Sequence, residues 1–368
     1  MRSESMPTNG PGRREDAVLF DGPGFGRVLA ARAPLAVVEG TEDEWPVLEN
    51  ALADLRAEAP DGFLGGWFDY RGGFRFGVFH GSQSAPDAGE QTGHWSGPGP
   101  RFRPGLERDE WVRRVRRAHD YIAAGDIYQV NLTHTLSSPW SGEAADFYPR
   151  FRAASPAPFS CLLRLGDTTV LSASPECFLL VDGRRVVTRP IKGTRPRAGN
   201  DDDAAARELL ASPKERAELV MITDLERNDL GQVCEYGSVL VTGLCELETF
   251  AQVHHLVSTV EGRLREGVSA VQALRACYPG GSITGAPKKR AREIIDELES
   301  VPRGIYTGAL GFFHADGSAA FNIAIRTLVV RDGTATFGVG AGIVADSDPV
   351  LEYEETLHKA AGLNAALG

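Results

Sequence analysis

Three strand-like segments lie almost end to end between Phe159 and Lys192: FSCLLRL, TTVLSASPECFLLV and RRVVTRPIK. Only Gly166-Asp167 and Asp182-Gly183 separate them. Turns this short join antiparallel neighbours, whereas a parallel crossover needs about a dozen residues or more. The middle of the chain therefore reads as three successive antiparallel strands.

Around this centre, strands and helices alternate without a fixed repeat. EDEWPVLENALADLRAE reads as a helix, GGWFDYRGGFRFGVF as strand, turn and strand, and HGSQSAPDAGEQTGHWSGPGP as an exposed, mobile loop. RDEWVRRVRRAHDYIAAG reads as a helix stopped by Gly125, and IYQVNLTHTL as a strand. The mixture predicts the α+β class, with large antiparallel sheets and peripheral helices. No strand interior offers a place to cut. Residues 17–368 are expected to form one complex domain (a short lobe over 17–107, a core over 108–364), after a polar, disordered tail over 1–16.

Composition narrows the function classes. The net charge of −11 comes without a basic stripe, so neither nucleic acid nor an anionic membrane surface is an expected partner. Five scattered cysteines, none in CxxC spacing, argue against a disulfide framework or a zinc cluster and for a reducing, cytoplasmic setting. The first residues lack the apolar centre of a signal peptide, and no apolar run is long enough to cross a bilayer.

VVTRPIKGTRPR places Lys192 on a strand end broken by Pro190, Gly193 and Pro196 and flanked by Arg189, Arg195 and Arg197. Two readings are open at this point. The lysine is a solvated surface cation, or it is crowded by like charge so that its amine is partly neutral and nucleophilic.

Two helices carry carboxylates on faces that should be apolar. SPKERAELVMITDLERNDLG begins with a capping box, Ser212 at the N-cap, Pro213 at N1 and Glu215 at N3. Glu218 lies four residues before Ile222 and seven before Leu225, on the same stripe. In SDPVLEYEETLHKAAGL, Asp348 caps a helix whose Glu352, Glu355 and Lys359 share one face. An inward carboxylate costs several kcal/mol unless it is paired or holds a cation. The oxygens of Glu218, Glu352 and Glu355 suit Mg2+, a hard ion that keeps waters and takes substrate oxygens. A solvated face is the alternative for either helix.

YPGGSITGAPKKRAREIIDELE imitates a phosphate loop through Gly280 and Gly285. The imitation fails, because Ala286 stands where the lysine must be and no Ser or Thr follows to hold a metal. Pro287 at N1 of a helix and the Thr284 hydroxyl leave room for a carboxylate or metal-water contact instead.

Taken together, these motifs resemble the chorismate-utilising enzymes, the family of anthranilate synthase component I, aminodeoxychorismate synthase component I, isochorismate synthase and salicylate synthase. The matching pieces are GDIYQVNL, SASPECFLL, PIKGT, KERAELVMITDLERNDLG, VHHLVSTV, YPGGSITGAPK, GIYTGALGF, NIAIRT, GAGIVADSDP and EYEET, in the family's order from about Arg108 to Leu363. The resemblance implies a sandwich of two large antiparallel sheets with the active site between them.

Two positions sort the members. Where family enzymes that add water carry a basic lysine, this chain has Gln129, and where anthranilate and isochorismate synthases carry a small residue it has Lys192. That combination is similar to aminodeoxychorismate synthase and implies amination at C4 of chorismate. By the same resemblance Lys192 is the nucleophile at C2, Glu176 the general acid for the C4 hydroxyl, and Glu218 and Glu355, with Glu352 nearby, the holders of Mg2+. Arg326 would pair with a carboxylate; Thr194, Tyr306, Gly340, Ala341, Gly342 and Lys359 would contact substrate. His255 either lines the pocket or packs structurally.

The chain departs from the family in three respects. Its N-terminal region matches loosely and lacks an LLES-type element, so feedback control by tryptophan is not expected. Cys177 follows SPE where arginine or serine is more familiar. No glutamine amidotransferase constellation is found, so ammonia is expected from solution or from a separate glutaminase subunit. The competing readings are an anthranilate or 2-amino-2-deoxyisochorismate synthase with an atypical lysine, and a catalytically silent chorismate-binding partner.

Overall fold

The computed structural model describes residues 15–83, 95, 99–197, 202–250 and 252–367, and for 360–367 the backbone alone. Most of the expected disordered tail and mobile loop thus lies outside the described residues. The parts that are described are held in place. Asp16 accepts a hydrogen bond from the Gly166 amide at 2.8 Å. Trp95 packs on Trp140 and Phe147, with ring centroids 4.8 and 4.9 Å away.

Two antiparallel sheets carry the fold, of nine and ten strands among the described residues. The nine-stranded sheet runs Gly285–Ala286, Gln129–Pro139, Thr334–Ile343, Thr327–Arg331, Thr168–Ser174, Phe159–Leu165, Ala17–Phe20, Leu29–Arg32, with Arg103–Pro104 also on Gln129–Pro139. In the ten-stranded sheet, Leu240–Thr249, Ile191–Pro196 and Arg185–Arg189 all pair with Val253–Arg263. From Arg185–Arg189 the order continues through Cys177–Asp182, Ala319–Ile323, Ala309–His314, Phe63–Phe68, Phe74–Phe79 and Ala36–Gly40.

The opening segments are not three strands but five. TTVLSASPECFLLV divides into Thr168–Ser174 in one sheet and Cys177–Asp182 in the other. Pro175 has no N–H to give a ladder, and the chain changes sheets there. RRVVTRPIK divides at Pro190 for the same reason, into Arg185–Arg189 and Ile191–Pro196. The pairing of the latter slips between Lys192 and Thr194, where Gly193 has φ 70°. A bulge of this kind bends the strand and re-aims the side chains beside it.

Helices cover the sheets with one apolar face each. Pro46–Glu58 buries Leu48, Leu52 and Leu55, and Arg108–Ala123 buries Trp111, Val115 and Ala118. Trp45, Phe68, Phe76, Phe313 and Phe321 fill one core. Phe20, Phe25, Phe159 and Phe312 belong to another. All five cysteines are buried and unpaired. Burial pushes the Cys177 thiol up to about 12, as expected of a packing residue. No described helix is long and apolar enough to cross a membrane.

Candidate active site

Lys192 sits beside the Gly193 bulge with its side chain 16% exposed and Nζ 3.9 Å from Glu218 Oε2. A Cβ added to Gly342 would lie 3.3 Å from that Nζ and 2.9 Å from Gln129 Nε2. Lysine, glutamine and glycine thus converge from both sheets. The crowding by cations expected from the sequence does not occur. Arg189 pairs with Glu248, Arg195 with Glu208 at 3.1 Å, and Arg197 with Asp202 at 2.8 Å. Each flanking guanidinium is neutralised by its own acid, and the charge nearest Lys192 is a carboxylate.

Glu176 lies at the crossover between the sheets and is buried. Burial pushes its pKa up to about 7, offset only in part by a hydrogen bond from Ser282, the Lys192 charge and the Ile191 amide. A carboxyl that keeps its proton near neutrality can serve as a general acid.

Gln129 has 0% exposure, and neither its amide nitrogen nor its oxygen has a partner. An unsatisfied buried amide costs about 1–3 kcal/mol, a penalty a ligand can relieve. His255 shows the same pattern. Its Nδ1 lies 3.1 Å from Gly193 O and 3.0 Å from Thr194 Oγ1, while Nε2 is buried without a partner. Because a carbonyl only accepts, the proton is assigned to Nδ1, leaving Nε2 as an acceptor. Burial, then the Arg326 charge, push the His255 pKa down to about 4. Arg326 itself is partly buried at φ 48°, with no carboxylate in ion-pair reach among the described residues. A guanidinium beside a neutral imidazole acceptor is suited to a ligand bearing a carboxylate and a hydroxyl.

The three acids expected to hold metal each face a lysine. Glu218 approaches Lys192; burial raises its pKa, with Lys192 and Lys214 opposing. Glu352 accepts from Ser347 Oγ at 2.7 Å and lies 3.9 Å from Lys214 Nζ. Glu355, 59% exposed, pairs with Lys359 at 2.9 Å. Burial works against its ionisation, but Lys359, Lys214 and Lys192 hold its carboxyl below the usual range. Among the described residues, no three acid, histidine or cysteine side chains come together so as to hold a metal ion by themselves. The oxygen-only donors, set among cations that neutralise them, fit a hard ion whose shell is completed by water and substrate.

Other expected contacts are placed differently from one another. Lys359 Nζ donates to Gly340 O at 2.9 Å, and Gly340, Ala341 and Gly342 pair with Thr133, Leu132 and Asn131. The Thr284 hydroxyl donates to Gly280 O at 2.9 Å and is wholly buried, so it is taken up inside its turn. Pro287 is the N-cap and not N1 of Lys288–Leu298. Lys288, the first residue of that helix, pairs with Asp229 and donates to Cys277 O at 2.8 Å. Gly285, at φ 149°, brings Gly285–Ala286 directly against Gln129, where a Cβ would lie 2.2 Å from the Gln129 carbonyl. Tyr306 lies flat over Gly338 and lines a cleft of about 640 Å³ with Trp67, Arg75 and Arg303, away from Lys192 and Glu176. Glu215 joins the cap only through its amide, which donates to Ser212 Oγ at 3.4 Å; its carboxylate faces Arg195 at 3.6 Å.

Sequence reasoning missed Ser282, Glu226, Asp229 and the buried Arg303–Glu299 pair. Glu226 and Asp229 follow Glu218 by eight and eleven residues and share its helix face, a signal present in the spacing.

The comparisons agree with this architecture. Residues 80–365 match the family described as chorismate binding enzyme. Anthranilate synthase component 1 of Streptomyces coelicolor is 50% identical over 265 residues, 71% of this chain and 52% of that protein. Aminodeoxychorismate synthase of Streptomyces pristinaespiralis is 50% identical over 272 residues, 73% of this chain and 36% of that protein. The crystal structure of anthranilate synthase component I from Streptococcus pneumoniae superposes with a TM-score of 0.78 at 27% identity, covering 99% of this chain and 95% of that one. The chain belongs to the chorismate-binding enzyme family. It spans about half the length, or less, of the curated relatives just named.

Proposed function

We propose that the chain is the chorismate-aminating component of an aminodeoxychorismate synthase, replacing the C4 hydroxyl of chorismate with an amino group. The observation that carries this reading is Lys192, placed beside Glu218, Gln129 and Gly342 with the buried acid Glu176 close enough to feel its charge. In its neutral form the amine attacks C2, the ring double bond shifts, and the C4 oxygen leaves as water with the proton of Glu176. Ammonia then attacks C4, the double bond returns, and the bond from C2 to Lys192 breaks. Arg326 and the His255 Nε2 orient the substrate's carboxylate and hydroxyl. Gln129, which cannot act as a base, leaves water unactivated where a lysine would activate it. Glu218, Glu352 and Glu355 would hold Mg2+, which offsets the charge of the ring carboxylate when bound. Ammonia would come from a separate glutamine amidotransferase.

The test is product analysis with chorismate, Mg2+ and ammonium. The expected product is 4-amino-4-deoxychorismate without pyruvate release, with a covalent adduct on the parent by mass spectrometry and none on Lys192→Ala. Amination at C2 would assign the chain to the anthranilate branch, to which one of the 50%-identical relatives belongs. Tight chorismate binding without turnover would leave a silent binding partner.

A further inference from the structure

The long helix Pro213–Gly231 buries a second acid that the chemistry above does not use. Glu226 is 2% exposed; its Oε1 accepts from the Gly281 amide at 2.9 Å, and its Oε2 is buried without a partner. The next residue along that turn, Ser282, is the one whose hydroxyl bonds to Glu176. Two buried carboxyls therefore bond to adjacent residues of one turn. We propose that Glu226 is a positioning residue for the proton on Glu176: its carboxylate, set across the Gly281–Ser282 turn, keeps that proton on the general acid.

This inference rests on Glu176 being the general acid. Its physical basis is that two like charges in one low-dielectric region cannot both form cheaply. Lys288, whose Nζ also pairs with Asp229, and the Gly281 amide favour the anion of Glu226. Asp229 and Glu176 oppose it, and the Cys177 and Cys277 thiols, both neutral through burial, complete its surroundings. Burial nevertheless dominates and pushes the carboxyl up to about 7. Once Glu226 ionises, its fixed charge makes the departure of the Glu176 proton harder. The alkaline limit of activity is thereby moved upward.

The experiment is the pH profile of kcat/KM for chorismate with ammonium in the parent, Glu226→Gln and Glu176→Gln. Glutamine keeps an acceptor for the Gly281 amide but cannot ionise. The expected result is an alkaline limb displaced downward by about one pH unit in Glu226→Gln, with the rate retained on the acid side of that limb and reduced about fivefold at pH 7. Infrared titration of the protonated carboxyl band, measured without substrate, should show the same displacement. A uniform fall in rate with the limb unmoved, or an unmoved infrared titration, overturns the proposal and leaves Glu226 structural. Full activity in Glu176→Gln would instead overturn the general-acid reading on which it stands.

Discussion

Arg303 and Arg326 hold guanidinium groups in two parts of the same interior, and their surroundings differ. Arg303 is 1% exposed at its side chain and saturated. Its nitrogens reach both oxygens of Glu299 at 2.8 Å, Ile283 O at 2.8 Å and Asn131 O at 2.6 Å, and the ring of Tyr70 covers it at 4.3 Å. Glu299 in turn accepts from the Thr133 amide at 2.8 Å. Arg326 has no such partner among the described residues, and close by stands His255 with its Nε2 unsatisfied. A satisfied buried ion pair fixes geometry, whereas an unsatisfied group stores the free energy that a ligand releases. The first arrangement holds the strand carrying Gln129 against the turn carrying Ser282. The second is where binding is expected.

Arg303→Met should break the first region most severely. Glu299 would be left buried without its cation, and stability measured by urea unfolding should fall by ~3–5 kcal/mol. Arg326→Gln should do the opposite. Unfolding should change little, while kcat/KM for chorismate falls by ~30-fold or more, about 2 kcal/mol, through loss of a charge-assisted contact. Equal stability losses in both variants would erase the distinction.

Histidines sharpen it further. Burial, with Arg114 adding to it, pushes His134 down to about 4, and His255 is depressed to a similar value beside Arg326. The unfolded chain binds more protons than the native state between about pH 6.5 and 4, so stability is complete above that window and falls as pH drops through it. His134→Gln should reduce the loss between pH 7 and pH 5 by about 2 kcal/mol in urea melts, and an unchanged loss would place the acid sensitivity elsewhere. The smallest effect is expected for Gly342→Ala. Its methyl would press on the mobile ends of Gln129 and Lys192, so kcat should fall about tenfold with little change in stability.

Much of this molecule was legible from residue order. Helices announced themselves through caps and stripes, as Ser212-Pro213 and Asp348-Pro349 did, since those signals act within one turn of backbone. Lys192, Gln129, Glu218 and Gly342 were each identifiable from their motifs, and folding brought them together. Long-range electrostatics was not legible. The arginines beside Lys192 looked like its neighbours and prove to belong to Glu248, Glu208 and Asp202. Nor could the sequence reveal that Pro175 sends one strand-like run into two sheets, or that Ser282 and Gly281 would stand between Glu176 and Glu226. Local order sets propensity and periodicity, which depend on near neighbours. Which charges lose their water, and which face each other once they have, depends on residues about fifty or more positions apart, and only the packed tertiary structure decides that.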